Sequence, residues 1–82
     1  MPTFSKKISI PHDGILTFYF TRIYTVSGLT YFVFVSDKNY KSYHFSTAKL
    51  GDSWVIVDVH KLPEWIAALE LEFEKVIFEN NG

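Results

Sequence analysis

Residues 15–26 and 29–36 are two runs rich in rings and β-branched side chains, and only Ser27-Gly28 separates them. Two strong β runs joined by two residues, glycine second, point to an antiparallel hairpin with a tight primed turn. A tight turn fixes register, and side chains alternate between faces, so the hairpin also says which residues share a side. With Val26 opposite Leu29, Tyr24 opposes Tyr31, Arg22 opposes Val33 and Phe20 opposes Val35.

The same punctuation recurs along the chain. Residues 4–10 read as a first strand, followed by the turn Pro11-His12-Asp13-Gly14. There proline presets φ and glycine takes the left-handed position. Asp37-Lys38-Asn39 reads as a three-residue loop with Asn39 left-handed, followed by a strand over 40–47; a turn at Gly51-Asp52 then leads to a strand over 54–59. This loop sets Val33 opposite Tyr43 and Tyr31 opposite Phe45, whereas a four-residue loop would exchange the faces of strand four. The register of strand one stays open: a four-residue turn puts Phe4, Ile8 and Ile10 on the mixed face of the sheet, and a bulged turn returns them to the core.

One face then carries Leu16, Phe18, Phe20, Tyr24, Val26, Leu29, Tyr31, Val33, Val35, Tyr43 and Phe45. That is the core face. Arg22 is its misfit, turned outward by a bulge or held at the rim. Residues 63–79 form the clearest element, an amphipathic helix with Pro63 at its first position, where a missing N–H costs nothing. Leu62, Trp65, Ile66, Leu69, Phe73, Val76 and Ile77 fall in one stripe. Glu70, Glu72, Glu74, Lys75 and Glu79 lie off it, on a solvated side. The expected fold class is α+β, with residues 1–82 as a single domain. Its antiparallel meander sheet has about five strands, with one C-terminal helix packed across one face.

An 82-residue chain has a small interior, and small domains lean on disulfides, metals or oligomerisation. There are no cysteines, which removes disulfides and thiolate zinc sites together. Yet the chain is 48% hydrophobic, with eight Phe, five Tyr and two Trp, more rings than such a core can hide. The surplus belongs in an interface, and a homodimer is expected. No signal peptide or bilayer-length apolar run is visible. The chain starts at Met, carries no evident tag, and is expected to be complete and cytoplasmic, with no membrane partner. Charge is uneven: residues 1–61 hold Lys6, Lys7, Arg22, Lys38, Lys41, Lys49 and Lys61 against four Asp, whereas residues 62–82 hold five Glu against Lys75.

Catalytic chemistry finds no foothold. His12, His44 and His60 are scattered, although Asp58 and His60 would share a face of the last strand. A metal site needs three or four converging ligands. No Gly-x-Ser-x-Gly elbow or phosphate-cradling loop occurs, and the glutamates sit on a helix rather than in a cleft. The chain reads as no enzyme, with no cofactor and no metal.

What remains is the second face of the sheet, a mix of small hydroxyls and rings. Tyr19, Phe32, Phe34 and His44 stand there, with Lys38 and Lys41 in the adjoining loop. These are the candidate binding or interface residues; Ala67, Leu71 and Phe78, on the helix's far side, are a candidate second interface. The rings serve either a protein–protein contact, with an identical chain first, or single-stranded nucleic acid, whose bases stack on such platforms. In outline, a strand meander closed by one helix resembles single-stranded-nucleic-acid modules of the whirly and PUR-repeat type. That resemblance lies in strand order and carries no residue by position. The expected function is a small non-catalytic binding module acting through protein–protein interaction, with single-stranded nucleic-acid binding as the alternative and small-ligand binding behind both.

Overall fold

A computed structural model describes residues 2–11 and 13–80. The elements run β1 (Phe4–Ile10), β2 (Gly14–Thr25), β3 (Gly28–Ser36), β4 (Ser42–Leu50), β5 (Ser53–Ile56), a 3₁₀ turn (Val59–Lys61), α1 (Glu64–Ala67) and α2 (Glu70–Glu79). The strands pair antiparallel in the order β1-β2-β3-β4-β5, a pure meander, and the sheet curls into a half-barrel against the helix. Among the described residues no helix is long and apolar enough to cross a membrane. The expected turn residue His12 lies outside the described residues.

Both expected hairpin registers move, and both move by an even step. Thr25 opposes Gly28, which places Phe20 opposite Val33 rather than Val35. The central turn residues are therefore Val26 and Ser27, and neither has a positive φ, so the turn is not the primed type expected. Thr25 compensates with its side chain, donating its hydroxyl to Gly28 O at 2.8 Å and accepting the Ser27 N–H at 3.2 Å. The β3–β4 loop spans residues 37–41, with Ser36 opposite Ser42 and Val33 opposite Phe45. Asp37 organises it, its Oδ1 accepting the N–H groups of Asn39 and Lys41 at 2.9 Å each. Tyr40, not Asn39, takes the left-handed conformation, at φ 66°. An even step preserves parity, so the faces survive both shifts.

Strand one settles on the core side. Ile8 opposes Leu16 and Ile10 opposes Gly14, with Gly14 at φ 73° closing a turn that L side chains rarely allow. The core comprises Ile8, Ile10, Leu16, Phe18, Phe20, Tyr31, Val33, Val35, Phe45, Trp54 and Ile56 from the strands, with Ile66, Phe73, Val76 and Ile77 from the helices. Phe73 is its hub, at ring distances of 5.3 Å to Phe18, 5.4 Å to Phe45 and 6.0 Å to Phe20. Tyr24 and Val26 do not join it. They sit on the β2–β3 hairpin tip and are 77% and 109% exposed.

Arg22 stays on the core side, at the rim. Its Nε donates to the Tyr31 hydroxyl and its Nη2 to the Asn80 carbonyl, each at 2.9 Å. The hydrogen bond to Tyr31 raises the guanidinium's pKa above its ordinary value, and burial opposes the rise. The expected continuous helix is broken. Leu69 N–H bonds Ile66 O, three residues back, at 2.9 Å, and Leu69 has φ −94° and ψ 7°. This tight turn carries no glycine or proline. It lets Trp65 stand edge-on to Tyr43, 5.5 Å away, while Phe73 sits among the sheet phenylalanines.

Two further corrections concern the charges. Glu70 and Glu74 are half-buried rather than solvated: Ile56 N–H donates to Glu70 Oε2 and Trp54 N–H to Glu74 Oε2, each at 2.8 Å. The last strand stops at Ile56, so Asp58 and His60 do not alternate along it. Asp58 is left-handed at φ 55° and caps the 3₁₀ turn that holds His60.

Candidate functional site

The helices cover one face of the sheet, and the other face carries a connected row of rings. Tyr19 and Phe34 are direct partners across β2 and β3, and Phe34 and His44 are direct partners across β3 and β4. Their rings lie 6.2 Å and 4.8 Å apart, and Phe32 continues the row 5.9 Å from His44. Directly opposed and diagonal ring pairs of this kind stabilise a sheet face without covering it. Tyr19 and Phe32 remain 40% and 37% exposed, and Ile15 and Ile23 extend the apolar surface along β2.

Two shallow grooves flank the row. One, of about 380 Å³, lies among Ile15, Thr17, Tyr19, Phe34 and Ser36. The other, of about 250 Å³, has Phe32, His44 and Ser46 as its floor, with Val57, Asp58 and Lys61 on its margin. Val57 N–H bonds Ser46 O at 2.9 Å, which ties the segment after β5 to β4 beside the rings. Reading 54–59 as one strand hid this margin. Aspartate tolerates the left-handed conformation better than most residues, and Asp58 is the one hint in the sequence of an early strand end.

The face is nearly free of charge. None of the five strands contains Asp or Glu, and Lys7, opposite Thr17, is the only strand cation whose register sets it on the ring side. Hydroxyls from Ser5, Ser9, Thr17, Thr21, Thr30, Ser42 and Ser46 fill the positions between rings. The two loop lysines expected beside the row are engaged elsewhere. Lys38 Nζ lies 3.7 Å from Asp13 Oδ1, linking the β3–β4 loop to the β1–β2 turn. Lys41 Nζ stands 5.5 Å from the centre of the Tyr43 ring, which packs against Trp65 on the helix side.

On the helices, Leu71 and Phe78 are exposed seven residues apart on α2, and Ala67 is half-buried on α1 across the break. They do not meet the ring row. Among the described residues no three His, Cys, Asp or Glu side chains converge as a metal site would require. Comparison with protein-family models, with curated proteins and with solved structures finds no match.

Proposed function

We propose that this chain is a non-catalytic binding module that acts through the open face of its sheet, and that the first partner of that face is a second copy of the chain. The observation that carries the reading is the row Tyr19–Phe34–His44–Phe32, left uncovered by the helices on a face almost without charge. A solvated sheet face ordinarily alternates to polar residues, so an exposed row of rings calls for a partner. A neutral face is also compatible with itself: bringing two copies together opposes no like charges beyond Lys7 and buries rings against rings. The test is Phe34→Asp, which puts a charge at the centre of the row. It should convert a dimer to a monomer with the fold retained by far-UV circular dichroism. A variant with wild-type mass in solution would remove the face from the interface.

A second reading, single-stranded nucleic-acid binding, is favoured by the segregation of acids. Every Asp and Glu lies in a loop or helix, leaving rings and hydroxyls to meet unpaired bases. Phosphate neutralisation is its weak point, because Lys38 and Lys41 have partners away from the row. Retention on single-stranded DNA at low salt, lost steeply as salt rises, would favour this reading. Failure of oligonucleotides of any composition to bind at low salt ends it.

A further inference from the structure

The two edges of the sheet are finished differently. β5 is sealed, because its outward amides at Trp54 and Ile56 donate to Glu74 and Glu70 of α2. β1 is the other edge, and its ladder is entirely with β2. Among the described residues no backbone hydrogen bond reaches β1 from its outer side. A row of unpaired amides and carbonyls of this kind is a template for another strand.

Alternation identifies the free amides. Thr25 and Gly28 close the β2–β3 hairpin as a directly bonded pair, so odd-numbered β2 residues bond β3 and even-numbered ones bond β1. With Ile8 opposite Leu16 and Ile10 opposite Gly14, the even-numbered β1 residues face β2. The amides of Ser5, Lys7 and Ser9 therefore point outward. The ladder runs unbroken over seven residues and contains no proline, so the edge is straight enough to receive a guest of similar length.

Charge selects the guest. Lys6 and Lys7 occupy the middle of the edge, both exposed, and neither β1 nor β2 contains an acid. Lys6 lies 4.0 Å from Glu79 on the helix side, whereas Lys7 has no ion pair among the described residues. A second copy pairing edge to edge about the middle of the strand would bring Lys7 against its own counterpart, and like charges directly opposed are destabilising. We infer that the β1 edge accepts an extended segment of another protein, added as an outer strand, with an acidic side chain opposite Lys7. The same lysines turn away basic strands, so the edge selects its guest by charge. The guest adds through backbone amides at the edge rather than by covering the rings, although Lys7 lies on the same face of the sheet as the ring row.

The experiment is amide hydrogen exchange by NMR on the full chain with three blocked seven-residue peptides of alternating Thr and Val. One has Glu at its centre, one has Lys there, and the third is the Glu peptide N-methylated at alternate amides. The Glu peptide should slow exchange at Ser5, Lys7 and Ser9, and the methylated form should not. The Glu peptide should bind about fivefold more tightly than its Lys twin, and Lys7→Glu should reverse that order. Equal binding of the Glu and Lys peptides would overturn the inference, as would no slowing at those amides by the Glu peptide. Protection at those amides that grows with protein concentration and needs no peptide would also overturn it, because the occupant would then be a second copy.

Discussion

Glu74 accepts the backbone N–H of Trp54 at 2.8 Å, so a helix carboxylate does for β5 what a further strand would otherwise do. Glu70, one helical turn earlier, does the same for Ile56. The two carboxylates stand four residues apart on α2, and the two amides two residues apart on β5. Helical and strand periods therefore match across the contact.

Each of these bonds joins a backbone donor to a carboxylate in a half-buried setting. Glu70→Ala and Glu74→Ala should each destabilise the fold by about 1–3 kcal/mol, because an N–H loses a charged acceptor. The glutamine variants should lose less, since an amide oxygen still accepts. Urea unfolding measures the difference. The double alanine variant should also aggregate more readily at high concentration, as the β5 edge becomes available for pairing. A double variant as stable and soluble as wild type would mean that the carboxylates do not seal the edge.

Phe73 meets Phe18, Phe20 and Phe45 and is the residue on which helix and sheet agree. Phe73→Ala should cost about 3–5 kcal/mol, a large part of the stability of a domain this small. Trp65→Ala should cost less, because Trp65 is only half-buried, although it contacts both Phe18 and Tyr43. The order of the two thermal midpoints is the check, with Phe73→Ala expected to be the lower.

Arg22 ties the end of α2 to the sheet through the Asn80 carbonyl. Arg22→Met keeps much of the aliphatic stem and removes both hydrogen bonds. The amides of the last turn of α2 should then exchange faster with solvent, while those of β3 keep their protection. Uniformly faster exchange across the sheet would instead make Arg22 a support of the whole core.

The fold was largely legible in the sequence because parity is robust. The hairpin registers were off by two residues at both turns, yet Phe20, Tyr31, Val33 and Phe45 still fall on the core face. The helix stripe from Leu62 to Ile77 was legible for the same kind of reason, as it depends on a period rather than on an end point. What did not show were features set by a single tertiary contact. Glu70 and Glu74 look like any solvated helix acids until β5 lies beside them. The break at Leu69 has no glycine or proline to announce it. Tyr24 and Val26 have the right parity for the core but lie on a hairpin tip. The ring row was visible as a set, and its order, Tyr19–Phe34–His44–Phe32, required the loop at 37–41 to be counted correctly.

The open face also makes a prediction about stability. Phe34→Ala removes a half-buried ring that touches Tyr19 and His44 rather than the core. The loss for an isolated chain should be about 1 kcal/mol, well below that of Phe73→Ala. In a dimer closed by this face, the same change should weaken association and make the melting temperature less dependent on protein concentration than in the wild type. A melting temperature independent of concentration in both proteins would separate the ring row from assembly.

The most direct measurement is the mass of the chain in solution by sedimentation equilibrium over a wide concentration range. Self-association through the ring row predicts twice the 9.5 kDa of a single chain at micromolar concentration, falling toward the single-chain mass on dilution. A mass of 9.5 kDa at every concentration, with the rings of Tyr19, Phe32 and Phe34 open to solvent throughout, would contradict it.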